Sequence, residues 1–209
     1  MEMDDTVKDY DIPAPLNSTG QVPGRKGMRT RQKLLDEVER RCVRSHYRTI
    51  TVAEIAAGAE TSASTFYHYF ADVAAAAAEV AATHLKHFDA IEELAQKVVA
   101  ARGDQRACED FVSAFFDYWK SRPGLIETIV TASRDEDPRF FRVLLRALFS
   151  LTNTLAEGVP GPHSRGVAGS LVMMLSQAAA RRDGFERDGV PFPDLVASQA
   201  LILHRALRP

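Results

Sequence analysis

A chain of 209 residues, 45% apolar and 26% charged, is long enough to bury a core and too ordinary in composition for a disordered, fibrous or disulfide-stapled protein. Cys42 and Cys108 fit no metal or redox spacing, no run approaches the roughly 18 apolar residues of a membrane span, and the acidic start MEMDDTVKDYD has no apolar signal-peptide stretch, so a reduced, cytoplasmic protein is expected. The net charge of −2 argues against nucleic acid until its distribution is read: Arg25 to Arg48 holds nine Lys/Arg against Asp36, Glu37 and Glu39, a segment of +6 on a remainder of −8. That is a basic face on an acidic body, or a solvated charge-laced helix.

Residues 1–27, with Pro13, Pro15, Gly20 and Pro23, read as a disordered arm that turns basic where it meets the fold. Leu34, Leu35, Val38 and Cys42 have helical spacing and predict a first helix from Thr30 to about Arg44. Thr51 with Glu54 is a capping box that opens the two-turn helix VAEIAAG, and Ser62 is an N-cap for a second short helix through Tyr69. Asp72 caps an alanine-rich helix predicted to run to about Ala101. Gln105–Lys120 is amphipathic, Pro123 starts a short helix to Thr131, and SRDEDP is a charged loop. Pro138 opens a long helix to Glu157, GVPGP breaks it, and Ser164–Arg182 is another. DGFERDGVPFP reads as a loop before a last helix capped by Asp194. No strand pattern emerges, so the fold class is all-α with about nine helices.

The most informative stretch is TSASTFYHYF. On a helix from Ser62, the side chains of Phe66, Tyr69 and Phe70 share one side and can pack on Leu35, Val38, Ile50 and Ile55. The other side carries Ala63, Ser64, Tyr67 and His68, with Thr65 at the boundary and no acidic residue. A helix of this kind fits the major groove of DNA, and a helix–turn–helix places its second helix there.

The segment ITVAEIAAGAETSASTFYHYF resembles the DNA-binding signature of the TetR (tetracycline-repressor) family of bacterial regulators, through Thr51, Ile55, Ala56, Ser62, Thr65, Phe66, Tyr67, Tyr69 and Phe70. The resemblance covers roughly a quarter of the chain. It implies a disordered arm at 1–27, a three-helix helix–turn–helix DNA-binding domain at 28–71, and a helical effector-binding and dimerisation domain at 72–209. It implies that Thr51, Ser62 and Tyr67 meet phosphates, while Ala63, Ser64, Thr65 and His68 meet base edges. Three positions depart from the pattern: Glu60 stands where the turn usually carries Gly, Val73 where the next helix usually starts with Lys, and Val52 where a second hydroxyl is usual. The basic residues Arg25, Lys26, Arg29 and Arg31 are expected to compensate from the arm, in the minor groove.

The resemblance also implies an effector pocket in the helical body, for an apolar small molecule. Its expected lining is Phe111, Phe115 and Trp119 on one stripe, Val143, Ala147, Ser150 and Thr154 on a second, and Met173, Met174 and Gln177 on the penultimate long helix. Aromatics at such spacing are also what any helical core requires. A homodimer through the last two helices is expected, with Val167, Leu171 and Met174 beside Leu195, Ala200 and Leu203, reading a pseudo-palindromic double-stranded operator. No cofactor or metal is expected: His84 and His87, with Asp89 nearby, lack a third ligand at a suitable spacing. No phosphate loop, G-x-S-x-G or H-E-x-x-H appears, so an enzyme ranks below a repressor released by a ligand. A helical dimer acting through protein contacts without specific DNA binding is the other alternative.

Overall fold

The computed structural model describes residues 16–85, 88–121, 126, 128 and 137–208. Among them are ten α-helices and no strand: α1 (Arg25–Cys42), α2 (Val52–Gly58), α3 (Ala63–Tyr69), α4 (Val73–Leu85), α5 (Asp89–Ala100), α6 (Gln105–Ser121), α7 (Pro138–Gly158), α8 (Ser164–Ala180), α9 (Arg182–Arg187) and α10 (Phe192–Ala206). A 3-10 turn, Tyr47–Thr49, joins α1 to α2. No helix of the described residues is long and apolar enough to cross a membrane. The chain forms two compact units. One draws its residues from Met1–Lys86 and Arg122–Arg146, the other from His87–Ser121 and Ala147–Pro209.

The first unit is built on α1. Leu34, Val38 and Cys42 have no exposed surface, and they meet Ile55 of α2, Phe66 of α3, and the alanines of α4 in one cluster. Ala76, Ala77 and Ala81 are fully buried, and their small side chains let α4 lie close against α1. Tyr47 stacks on Phe140 from the start of α7, at 5.1 Å and 24°. The caps fall where local chemistry places them. Thr51 and Glu54 satisfy each other's backbone N–H at 2.8 and 3.2 Å, Ser62 Oγ accepts from Thr65 N–H at 3.1 Å, and Asp72 accepts from Ala75 N–H at 2.6 Å.

Two polar side-chain contacts tie α1 to α4. Arg31, buried, grips both carboxylate oxygens of Glu79 and lies 4.8 Å over the ring of Phe70. His84 Nε2 sits 2.8 Å from Glu39. At the start of α7, Arg139 bonds to both Asp137 and Asp72, the cap of α4.

The second unit is centred on α6, whose Phe111, Phe115 and Phe116 are at most 1% exposed. α10 packs along it, with its own Leu195 and Leu203 buried. Gly103, at φ +67, closes the α5–α6 turn against Leu207: a Cβ there would stand 2.7 Å from that side chain, so the position excludes one. The carbonyl of Gly103 is 2.6 Å from His204 Nδ1, which pins the end of α10.

Four boundaries differ from the sequence expectation. α1 starts at Arg25, not Thr30, because its first turns are polar and leave no apolar period to read. The alanine-rich helix is two helices, α4 ending at Leu85 and α5 starting at Asp89. The expected loop at 183–193 holds all of α9 but its first residue, the helix being supported by an Arg182–Glu186 ion pair at 3.6 Å. α10 starts at Phe192 with Pro193 and Asp194 in its first turn, where a missing N–H is harmless and an acid favours the dipole. The expected short helix at 123–131 falls almost wholly outside the described residues.

Truncating Glu79 leaves the buried Arg31 guanidinium without its carboxylate. Glu79→Ala is expected to cost about 3 kcal/mol in urea unfolding, and the double change Arg31→Met with Glu79→Leu to recover most of it.

Candidate nucleic-acid interface

α2 and α3 have seven residues each, too short to be stable alone. α3 is held by Phe66, fully buried, and by Phe70, 5% exposed. Its opposite face is open: Ser62, Ala63, Ser64, Tyr67 and His68 are exposed and Thr65 is half-buried. Tyr67 keeps 55% of its surface, and its ring stands edge-on to Phe66 at 5.7 Å and 88°. The structure therefore brings Ser62, Ala63, Ser64, Thr65, Tyr67 and His68 together. Thr51 is exposed at the N-terminus of α2, but its hydroxyl lies 2.7 Å from Glu54 Oε2 and donates to it. Ser62 Oγ likewise pairs with Thr65 Oγ1 at 2.9 Å.

Arg25, Lys26 and Arg29 are exposed, on the first turns of α1 rather than on a loose arm. Arg31 does not join them. Its guanidinium turns inward to Glu79, so it is no DNA-facing cation.

A charged chain links the core of α1 to the cap of α2. Glu37, 7% exposed, accepts from Arg40 at 2.6 and 2.7 Å and from Arg41 at 2.7 Å. Arg41 continues to the carbonyl of Glu54 at 3.1 Å and to its carboxylate at 3.4 Å. Gly58 makes the approach possible, because a Cβ there would stand 2.1 Å from the Glu37 carboxylate. The Arg40 hydrogen bond, with Arg41 and against the opposing effect of burial, holds the Glu37 carboxyl below its ordinary value. The Thr51 hydroxyl and backbone do the same for Glu54.

Glu60 takes φ 55°, a left-handed turn conformation that favours glycine. Its carboxylate is 83% exposed and sits 3.3 Å from Lys33 Nζ. Sequence reasoning missed that contact, and also missed the ordered turn at Asn17–Gln21 ahead of α1, where Ser18 meets His68. The string NSTGQ is the only trace of that turn in the sequence.

The expected effector residues do not form one cluster. Phe111, Phe115 and Trp119 follow one another along α6 with ring centroids 6.2 and 5.2 Å apart, the second pair stacked, and are buried as core. Ser150 and Thr154 both turn to Glu92 of α5. Met174 and Gln177 are half-buried on α8, while Met173 is 54% exposed. Val143 packs in the core of the other unit, and the side chain of Ala147 lies outside the described set. Of the expected dimer face, Leu171, Leu195, Ala200 and Leu203 are buried within the chain; Val167, Met173, Leu201 and Ile202 are the large exposed apolar side chains of α8 and α10. Burial pushes the thiols of Cys42 and Cys108 up to about 11 and about 12. His87 lies outside the described residues, among which no group of three His, Cys, Asp or Glu is placed to hold a metal ion.

Two outcomes are expected of single substitutions. Because Glu37 titrates lower in the folded chain, its stabilisation is present above the unfolded value and lost as pH falls through the folded one. Urea unfolding midpoints should drop as pH falls below 4.5, and drop less in Glu37→Gln, which starts lower at neutral pH. Glu60→Gly removes the strained backbone of a non-glycine residue and should stabilise the fold by about 1 kcal/mol, read from thermal unfolding.

A family model for a tetracyclin repressor-like C-terminal domain matches residues 90–208. No curated protein matches the chain. Among solved structures, a TetR-family transcriptional regulator from Streptomyces coelicolor superposes with a TM-score of 0.64 at 15% identity, covering 84% of this chain and 79% of that one. The fatty acid degradation regulator FadR from Bacillus halodurans superposes with a TM-score of 0.57 at 15% identity, covering 90% and 97%. At such identities these likenesses are of fold.

Proposed function

The chain belongs to the TetR family of transcriptional regulators, and from that premise we propose that it is a homodimeric repressor that reads a double-stranded, pseudo-palindromic operator through α3 and is released by an apolar small molecule. The observation that carries this reading is the open face of α3: Ser62, Ala63, Ser64, Tyr67 and His68 exposed, without a carboxylate, on a helix fixed from behind by Phe66. Such a face fits a major groove, and two copies in a dimer address half-sites about 34 Å apart.

In this reading Tyr67, Ser62 and the N-termini of α2 and α3 meet phosphates, with Thr51 holding α2 through its cap. Ala63, Ser64, Thr65 and His68 face bases. Arg25, Lys26 and Arg29 supply cations from the first turns of α1, where Val73 leaves the start of α4 without one. The exposed apolar side chains of α8 and α10, Met173, Leu201 and Ile202, are the surface for the second copy. Release follows when a ligand in the helical body changes the separation of the two reading heads. The chain is thereby a regulator rather than an enzyme, and no cofactor takes part.

A second reading, a dimer that acts through protein contacts alone, is favoured by Glu60, an exposed carboxylate beside the reading helix. Fluorescence anisotropy on the DNA upstream of the protein's own gene separates the two. Specific binding with a steep salt dependence is expected. Tyr67→Ala should lose at least tenfold in affinity with little change in melting temperature, and Lys26→Ala with Arg29→Ala should flatten the log–log salt slope by about 2. Equal, weak binding to all duplexes, indifferent to Tyr67, favours the second reading.

A further inference from the structure

The segment 16–24 ahead of α1 forms a built turn. Asn17 Oδ1 accepts from the N–H groups of Thr19 and Gln21 at 3.0 and 2.9 Å and from the Thr19 hydroxyl at 2.7 Å. The backbone closes it twice, from Gly20 N–H to Asn17 O and from Asn17 N–H to Gln21 O, both at 2.9 Å. Gly20, at φ +74, takes the one position an ordinary residue would resist.

This turn carries Ser18 to the C-terminal end of α3. Ser18 N–H donates at 2.8 Å to the carbonyl of His68, one of the groups a helix end leaves unpaired. Ser18 Oγ lies 3.3 Å from His68 Nδ1. The ring of Tyr69 stands edge-on to the imidazole at 4.9 Å and 74°. The imidazole is thus held at one nitrogen and packed beside the Tyr69 ring, with Nε2 unpartnered among the described residues.

We propose that Ser18 is a positioning residue for base reading: its hydroxyl donates to Nδ1 of His68, keeps the ring proton on Nε2, and so presents Nε2–H to an acceptor on a base edge, purine N7, guanine O6 or thymine O4. A neutral imidazole has one donor and one acceptor nitrogen, and the bond made by one sets the role of the other. Those three acceptors line the major groove. The inference rests on the DNA-reading role proposed for α3. It makes the turn at Asn17–Gln21 part of the reading head, and Ser18 a determinant of specificity without a DNA contact of its own.

The test uses the full chain as wild type, Ser18→Ala, Ser18→Thr and His68→Ala. Duplexes selected from a randomised pool give the base preference of each, and nitrogen-15 NMR gives the tautomer of His68 without DNA. Expected is an Nε2–H ring in the wild type and Ser18→Thr, and a mixture in Ser18→Ala. Ser18→Ala and His68→Ala should lose preference at the same base pair, with an affinity loss of about three- to tenfold for Ser18→Ala, restored by threonine. An Nδ1–H ring in the wild type, or a Ser18→Ala protein with unchanged preference and affinity, overturns the proposal. A wild type that selects no sequence overturns the DNA-reading role and the inference with it, and the NMR result then separates that failure from a failure of the clamp.

Discussion

Phe66 has no exposed surface, and through it a helix of seven residues acquires a fixed place. Neither α2 nor α3 could persist alone, since forming a first helical turn costs more than so few hydrogen bonds return. Burial of Phe66 among Leu34, Val38 and Ile55, with Phe70 behind it, supplies the missing stabilisation. The same burial turns Tyr67 and His68 outward, because neighbours on a helix point about 100° apart. An open face of α3 follows from one aromatic anchor.

Polar contacts then remove the remaining freedom. The Thr51–Glu54 box and the Ser62 cap set where α2 and α3 begin. Glu37 and Arg41 carry the position of α1 to that box, and the absent side chain of Gly58 leaves room for the carboxylate. The basic residues of α1 divide by direction: Arg25, Lys26 and Arg29 face water, while Arg31 is committed to Glu79 and Phe70. A buried guanidinium needs such partners, since an unpaired charge there would be prohibitive. Positive charge counted along the sequence therefore overstates what the surface presents.

In the helical body the aromatic stripe of α6 is core in this chain, closed by Phe88 and by its own stacking. The polar character lies elsewhere, where Ser150 and Thr154 turn to Glu92. The exposed apolar side chains of α8 and α10 are neighbours of the buried ones along each helix, so each helix has one face buried in its own unit and another left exposed.

The sequence by itself determined what depends on near neighbours. Helical class, the caps at Thr51, Ser62 and Asp72, the start of α7 at Pro138, the strained turn at Glu60 and the two faces of α3 all follow from residues within a few positions of one another. Only the tertiary structure decided which neighbour covers each face. Arg31 turns inward because Glu79 lies across from it, Val143 joins the core of the first unit, and Leu171 and Leu203 are buried while Met173 and Leu201 are left outside. Ser18 meets His68 across fifty positions of chain. Periodicity records which side chains share a side of a helix, but the partner on that side is set by packing between segments remote in sequence, and no local pattern carries it.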